Sequence, residues 1–406
     1  MKVSRLLFSR LLAGGIGFFP SLAAAMFLDG RQYGLGASSF SLALLIVGPV
    51  TQYAGQGYMR SLLLPDRVQI PASHIVMVFM ILVCSVLMAL AVPGIVSWQG
   101  GAVFALAVLS ITLSKLEEVR QIARERQITS VLLFYIMPPT ITTAIFAIFA
   151  MTGSKPGWHT ITIILALAYL CPALLSLFLR EARPLASMGH MNRHHVRLLW
   201  LESRTFLASG IISSATENMP TLVLTMLGVP QRVATFELMR KLSSAISVFL
   251  HGLAIAYAPR IITAAARDDM IEVVRTIRQN ARLSALFALI YIPAAALGVV
   301  VLGSLGWKAL SIPVAMAAPL FLSALVTCLA APFGMAVTAF HQERWWVIGG
   351  AIGFSAFCLV LCLTPLLGPM ETVALAVLFQ NMALSATITI VVRRLIRSKS
   401  QRPAAA

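Results

Sequence analysis

The chain has 406 residues, of which 59% are hydrophobic and only 11% are charged, and its mean hydropathy is +0.89. About a quarter of the residues in a soluble globular domain are charged, so this composition excludes that class and indicates an integral membrane protein. The net charge of +17 does not indicate a nucleic-acid partner, because the basic residues lie between apolar runs, where the positive-inside rule expects them.

The apolar runs are each about 20 residues long, which matches helices that cross a bilayer and not the ~10-residue strands of a barrel. We therefore predict an all-α membrane protein with twelve transmembrane helices. In chain order, the predicted spans are Leu6–Leu28, Ala37–Tyr58, Ile75–Ser97, Ala102–Leu116, Ile128–Thr152, Thr160–Leu179, Phe206–Leu227, Ala234–Ala258, Leu283–Leu302, Val314–Phe340, Trp346–Leu366 and Val373–Val392. The first is predicted to be an uncleaved helix, since its apolar stretch continues to Leu28.

The basic residues predict the orientation of these spans. Of the 31 Lys and Arg residues, 24 are assigned to one side, including Lys115 at the end of the fourth span. Three lie deeper within spans, and only Arg31, Lys155, Arg232 and Lys308 fall on the other side. The bias holds at every loop, so both termini are predicted to be cytoplasmic. The opposite loops are short and leave no room for an outer catalytic domain, so we predict that the protein is not an enzyme.

A polar connection divides the spans into six and six. We predict an N-terminal half over residues 1–180, a cytoplasmic linker over 181–204, a C-terminal half over 205–392 and a basic tail over 393–406. The halves are either parallel repeats or similar by chance, and a substrate path is expected between them near the bilayer midplane. The amphipathic segment Thr263–Arg282 is predicted to lie along the cytoplasmic interface, where its arginines could attract anionic lipid.

Ionisable residues within a span cost at least about 2.5–3.5 kcal/mol, so they mark candidate sites. Glu237, Arg240, Lys241, Ser244 and His251 share one face of the eighth span. In one interpretation Glu237 neutralises one of the cations and the other reaches out to the interface. In the other, the positive excess of Arg240 and Lys241 faces a cavity and binds an anionic substrate group.

Two further positions carry charge. Arg10 lies near the cytoplasmic end of the first span and either reaches the interface or meets substrate from that side. Glu217 lies in the seventh span just before Pro220, where we predict a helix break. Glu217 and Glu237 are the candidates for Na⁺ or H⁺ coupling, since a carboxylate beside freed carbonyls is a suitable hard ligand. Glu217 could equally neutralise Arg240 or Lys241.

Amide side chains form a third group. Gln52 and Gln56 share a face of the second span, and Gln380 and Asn381 lie in the twelfth. They could hydrogen-bond sugar hydroxyls, as could Ser244, or they could bond between helices. Glu117 and Glu118 are interpreted as interfacial acids among basic residues. The histidines and cysteines have no metal-site spacing, no P-loop is present, and no cofactor is predicted.

Two stretches resemble the opening of a known family. Residues 28–35 read Leu-Asp-Gly-Arg-Gln-Tyr-Gly-Leu, and residues 55–60 read Gly-Gln-Gly-Tyr-Met-Arg at the end of a Ser-rich helix. Together with the Ala-Pro-Arg at 258–260, they are similar to polysaccharide-export flippases of the multidrug/oligosaccharidyl-lipid/polysaccharide exporter (MOP) superfamily. The chain departs from that pattern at residues 222–224, which are apolar where the family often carries an acid and a base.

The resemblance implies a V-shaped twelve-helix bundle in the bacterial inner membrane. It would flip an undecaprenyl-pyrophosphate-linked oligosaccharide to the outer leaflet by alternating access. Its expected partners are membrane lipids and a polysaccharide polymerase with its chain-length machinery. Arg10, Arg240 and Lys241 would then hold the pyrophosphate, since guanidinium groups bind phosphate bidentately. The alternative is an ion-coupled secondary transporter or multidrug exporter of small molecules.

Overall fold

The structure is a computed structural model that describes residues 12–63, 98–123, 126–178, 193–246, 269–304, 314–340 and 344–400, together with Ser9, Gln342 and a few positions between 250 and 267. For residues 50–63 and 193–206 the description covers the backbone. Within these ranges every regular element is a helix, so the all-α fold class is confirmed. The predicted span Ile75–Ser97 and residues 181–192 of the predicted linker lie outside the described residues.

Eleven main helices are described. They are α1 Phe19–Phe27, α2 Gly30–Leu63, α3 Trp98–Ala123, α4 Met137–Thr152, α5 Trp158–Phe178, α6 Arg193–Met226, α7 Val233–Ser244, α8 Met270–Ser304, α9 Val314–Ala339, α10 Arg344–Leu361 and α11 Pro369–Ser400. A short helix, Gln127–Val131, and a π-helical turn, Leu132–Ile136, lead directly into α4. The wide turn precedes Pro138 and Pro139, which cannot donate backbone hydrogen bonds to the turn before them.

Six of the described helices are long and apolar enough to cross a membrane. One of them, Ile128–Thr152, is formed by the short helix, the π-helical turn and α4 together, and it has the predicted bounds. The chain is a multi-pass membrane protein; the count of twelve spans and the side of the termini stay predictions. Helix α8 runs unbroken from Met270 to Ser304, so the amphipathic segment before Leu283 continues into the following span without a break; its place at the cytoplasmic interface stays a prediction.

The chain divides into two compact units, and the first is Ile16–Ala234. Its core lies where α2, α3 and α5 meet, around Phe40, Val47, Ile111 and Ala166. Along α2, small residues allow close approach to the segment that follows α6, since a Cβ on Gly34 would overlap the carbonyl of Pro230. The hydroxyl groups of Ser38 and Thr225 then hydrogen-bond across the α2–α6 seam at 2.5 Å.

The second unit is Met1–Gly15 with Thr235–Ala406. Its helices α9 and α11 pack around buried Ala336, Val337, Ile388 and Val392. Glycines again set the helix spacing, because a Cβ on Gly353 of α10 would come within 2.7 Å of the Gln380 carbonyl oxygen of α11. The boundaries of the predicted halves and linker remain predictions.

Candidate functional site

The first polar cluster centres on the carboxylate of Glu118 in α3. Its Oε2 accepts a hydrogen bond from Lys115 Nζ at 2.7 Å, and its Oε1 accepts one from the Tyr135 hydroxyl at 2.5 Å. Lys115 and Glu118 are three residues apart on one helix and therefore share a face. Tyr135 comes from the π-helical turn, which brings its hydroxyl to the other carboxylate oxygen. The side chain of Glu118 is 8% exposed and that of Lys115 is 36% exposed.

A second chain of hydrogen bonds starts one residue earlier. Ser176 of α5 donates its hydroxyl to Glu117 Oε2 at 3.2 Å, and Gln121 Nε2 donates to the Ser176 hydroxyl at 2.9 Å. All three side chains are buried. Burial of an ionised carboxylate is tolerated only with polar or charged partners, and this network supplies some of them. We call the six residues Lys115, Glu117, Glu118, Gln121, Tyr135 and Ser176 the α3 network.

The α3 network was missed by the sequence analysis. Lys115 was counted among the residues that set orientation, and Glu117 and Glu118 were interpreted as interfacial. The structure buries both acids against α5 and the π-helical turn. The available signal was their position, since the apolar part of α3 extends to Lys115 and the acids follow within one turn.

Tyr169 of α5 lies near both the α3 network and Glu217. Its ring packs against Phe40 with centroids 5.3 Å apart, and its hydroxyl is close enough to Lys115, Glu118 and Glu217 to be affected by their charges. Glu217 lies on α6 and is exposed. Three helices of this unit, α3, α5 and α6, therefore contribute ionisable side chains to one region.

The helix break predicted at Pro220 is absent. Helix α6 continues through Pro220 to Met226. Two side chains form hydrogen bonds with the backbone of the preceding turns. Asn218 Nδ2 donates to the Ser214 carbonyl at 2.9 Å, and the Thr216 hydroxyl donates to the Ile212 carbonyl at 2.8 Å. Neither bond reaches the Thr216 carbonyl, to which Pro220 has no N–H to donate. Membrane helices tolerate proline where neighbouring helices pack against them, and α6 packs along α2. Glu217 is thus held on a continuous helix.

The second polar cluster lies on α7. Arg240 Nη2 donates to both carboxylate oxygens of Glu237, at 3.0 and 3.1 Å. Lys241 interacts electrostatically with both residues. Glu237 is buried and Arg240 is partly buried. Ser244 is exposed, and its hydroxyl donates a hydrogen bond to the Lys241 carbonyl. The helix is anchored to α8, because the Tyr291 hydroxyl donates to the Leu242 carbonyl at 2.6 Å.

The α7 cluster carries one carboxylate and two cations, so its formal charge is positive. The Glu237–Arg240 pair matches the interpretation in which the acid neutralises one cation. A pair of this kind can still offer its remaining N–H groups to an anion. Arg10 and His251 lie outside the described residues.

The amides are only partly described. Asn381 Nδ2 donates to the Ser323 hydroxyl of α9 at 2.7 Å, which is the interhelical alternative for that residue. Gln380 is buried on α11. The backbone at Gln52 and Gln56 belongs to α2, and their side chains lie outside the description. Among the described residues, no three His, Cys, Asp or Glu side chains are grouped so as to hold a metal ion.

No protein-family model matches the chain, and no curated protein sequence is significantly similar to it. Solved structures, in contrast, match over nearly its whole length. An inward-facing multidrug resistance MATE family transporter of the MOP superfamily has a TM-score of 0.64 at 12% identity, covering 98% of this chain and 100% of that one. The present chain therefore has the MATE transporter fold.

Two further matches lead to the same fold. The outward-facing conformation of a multidrug resistance MATE family transporter matches with a TM-score of 0.60 at 11% identity, over 98% of this chain and 96% of that one. A MOP superfamily transporter from Pyrococcus furiosus, described as having a binding pocket of reverse polarity that suggests a different function, matches with a TM-score of 0.57 at 12% identity over the same shares. At these identities the likeness establishes the MATE fold and leaves the substrate open.

Proposed function

We propose that this protein is a secondary transporter that moves its substrate across the membrane by alternating access. The observation that carries the proposal is the MATE fold, matched over 98% of the chain. The described helices add intramembrane charges, which are costly in lipid and typically mark ion or substrate pathways in transporters.

In this proposal the acidic side chains of the first unit couple transport to an ion. Glu217 is exposed on α6, in the same unit as the α3 network, and Tyr169 of α5 lies close enough to Glu217, Lys115 and Glu118 to be affected by their charges. Protonation of Glu217, or binding of Na⁺ to it, would change the charge facing the α3 network. Glu237 is the weaker candidate, because its carboxylate accepts both hydrogen bonds from Arg240.

The test is uptake of a fluorescent cationic dye into proteoliposomes under an imposed H⁺ or Na⁺ gradient. We expect gradient-dependent transport by the wild type and at least tenfold slower transport by Glu217→Gln, which keeps the side-chain shape and removes the charge. Glu371→Gln, at the start of α11, is the matched control and should transport normally. Gradient-driven transport by Glu217→Gln at the wild-type rate would remove Glu217 from the coupling site.

A second candidate function is the flipping of a lipid-linked oligosaccharide in a bacterial inner membrane, and the α7 cluster is the observation that favours it. Its two cations outnumber its one carboxylate, so an anionic group is a better ligand for this helix than the cations typical of drug exporters. Arg240, Lys241 and Arg10 would bind the pyrophosphate. Sugars would contact the amide and hydroxyl side chains Gln52, Gln56, Ser244, Gln380 and Asn381.

These two functions are separated by a deletion strain. Accumulation of an undecaprenyl-linked oligosaccharide on the cytoplasmic face would support the flippase, whereas drug sensitivity without accumulation would support the exporter. Complementation with Arg240→Gln should then fail, while Arg232→Gln, an exposed arginine before α7, should complement fully. Normal polysaccharide output from Arg240→Gln, at normal protein level, would remove Arg240 from the site. A polysaccharide polymerase is the expected partner in the flippase case.

A further inference from the structure

A basic groove lies where the first turns of α8 meet the last turns of α11. Its volume is about 590 Å³, and its apolar lining includes Met270, Ile271 and Val274 of α8 and Ile396 of α11. Three arginines, Arg275, Arg278 and Arg282, line the same groove. All three are exposed. We call this feature the α8–α11 groove.

The lengths of the two helices indicate the level of the groove in the membrane. Helix α8 has 35 residues and α11 has 32, so at ~1.5 Å per residue they are about 52 and 48 Å long. The hydrocarbon core is only about 30 Å thick. When the apolar part of α8 fills that core, the turns from Met270 to Arg282 lie in the headgroup region.

The arginine face of α8 continues into a lipid-facing face. Residues 275, 278 and 282 are spaced by three and four positions, and the same spacing continues through Leu286, Leu289, Pro293 and Leu297, all of them exposed. One helix surface therefore presents cations at its end and then an unbroken apolar stripe. An anionic phospholipid has the complementary sequence of groups, a phosphate followed by acyl chains.

The local charge balance favours an anion. Two described acids accompany the arginines at the start of α8. Glu272 lies 3.7 Å from Arg275 with both side chains well exposed, a separation too long for a strong ion pair in water. Asp269 is exposed and its Oδ1 accepts a hydrogen bond from the Glu272 backbone N–H at 3.0 Å, so the three arginines still outnumber the described acids. On α11, Arg393, Arg394 and Arg397 are exposed and lie within three positions of Ile396 in the sequence, and residues 388–400 contain no acid. We infer that the α8–α11 groove binds the headgroup phosphate of an anionic phospholipid, with its acyl chains along the apolar stripe of α8.

The inference is tested by native mass spectrometry of the protein released from micelles doped with phosphatidylglycerol or phosphatidylcholine. The wild type should retain phosphatidylglycerol in preference. The triple variant Arg275→Gln, Arg278→Gln, Arg282→Gln should retain phosphatidylglycerol at least tenfold less, since it removes the three cations that attract the headgroup phosphate. The control triple variant, Arg31→Gln, Lys155→Gln, Arg232→Gln, has the same charge change elsewhere and should bind like the wild type.

Three outcomes would overturn the inference. They are equal retention of the two lipids by the wild type, equal loss in both triple variants, and displacement of phosphatidylglycerol by millimolar inorganic phosphate, which would assign the groove to a soluble anion. If the triple variant does not fold, a photoactivatable phosphatidylglycerol on the wild type replaces it. Crosslinks should then map to residues 270–290, and their absence there would overturn the inference equally.

Discussion

At the scale of single residues, the structure separates charged side chains that look equivalent in sequence. Lys115 and Arg275 are both basic residues that lie three positions from an acid on the same helix. Glu118 is buried and bonds Lys115 at 2.7 Å, whereas Glu272 is exposed and lies 3.7 Å from Arg275. Coulombic attraction is strong only where water is excluded. The first pair therefore stabilises the fold, and the second contributes little.

Glu118→Gln should lower the thermal midpoint in detergent, because it leaves the Lys115 ammonium and the Tyr135 hydroxyl without their anionic partner. We expect the free energy of unfolding to fall by about 1–2 kcal/mol, a value between those for exposed and fully buried ion pairs, since Lys115 is partly in contact with solvent. Differential scanning fluorimetry measures the thermal midpoint. Glu272→Gln is the control and should shift the midpoint little. Equal shifts in the two variants would contradict the assignment.

At the scale of helices, glycines decide how closely neighbours pack. Gly34 faces backbone, since an added Cβ would overlap the Pro230 carbonyl, whereas Gly298 of α8 has nothing within 4 Å of its would-be Cβ. Backbone cannot move aside as a flexible side chain can. An alanine side chain therefore fits at Gly298 but not at Gly34, although the sequence does not distinguish the two glycines.

Gly34→Ala should destabilise the first unit by about 1–3 kcal/mol, the usual cost of an overpacked site. Gly298→Ala should leave the midpoint unchanged or raise it slightly, because alanine is the better helix former. The comparison is made by thermal unfolding in one detergent with a single protein preparation for each variant. A Gly34→Ala protein as stable as the wild type would show that α2 is free to shift away from Pro230.

At the scale of the whole molecule, the charge bias makes a topological prediction that the fold alone does not test. The loop after α4, with exposed Ser154, is predicted on the outer side, and the end of α11, with exposed Ser398, on the cytoplasmic side. The positive-inside rule ties both positions to the same threading.

In a cysteine-free background, Ser154→Cys should react with a membrane-impermeant maleimide in intact cells, and Ser398→Cys should react only after the cells are opened. The chain has five native cysteines that must first be replaced, and transport by that background is the control. Labelling of Ser398→Cys in intact cells would reverse the predicted orientation.

Much of the helical layout could be predicted because apolar length is written locally in the chain. The predicted span Ile128–Thr152 has the same bounds in the structure, and α9 ends at Ala339, one residue before the predicted end of its span. The break predicted at Pro220 was wrong because a proline in a membrane helix is tolerated where a neighbouring helix packs against it, as α2 packs against α6. The continuity of the amphipathic segment before Leu283 with the span that follows was not predicted, because periodicity shows that a helix has two faces, not where it bends.

By itself, the sequence determined the membrane class, the helical fold and the candidate charges of α7, because hydropathy and spacing are properties of neighbouring residues. Only the tertiary structure decided that Glu117 and Glu118 are buried against α5 and the π-helical turn, that Arg240 bonds Glu237, and that the arginines of α8 border a groove with α11. Each of these depends on side-chain direction or on residues far apart in the chain. Hydrophobic periodicity places a residue on a helix face, but only packing determines what that face meets.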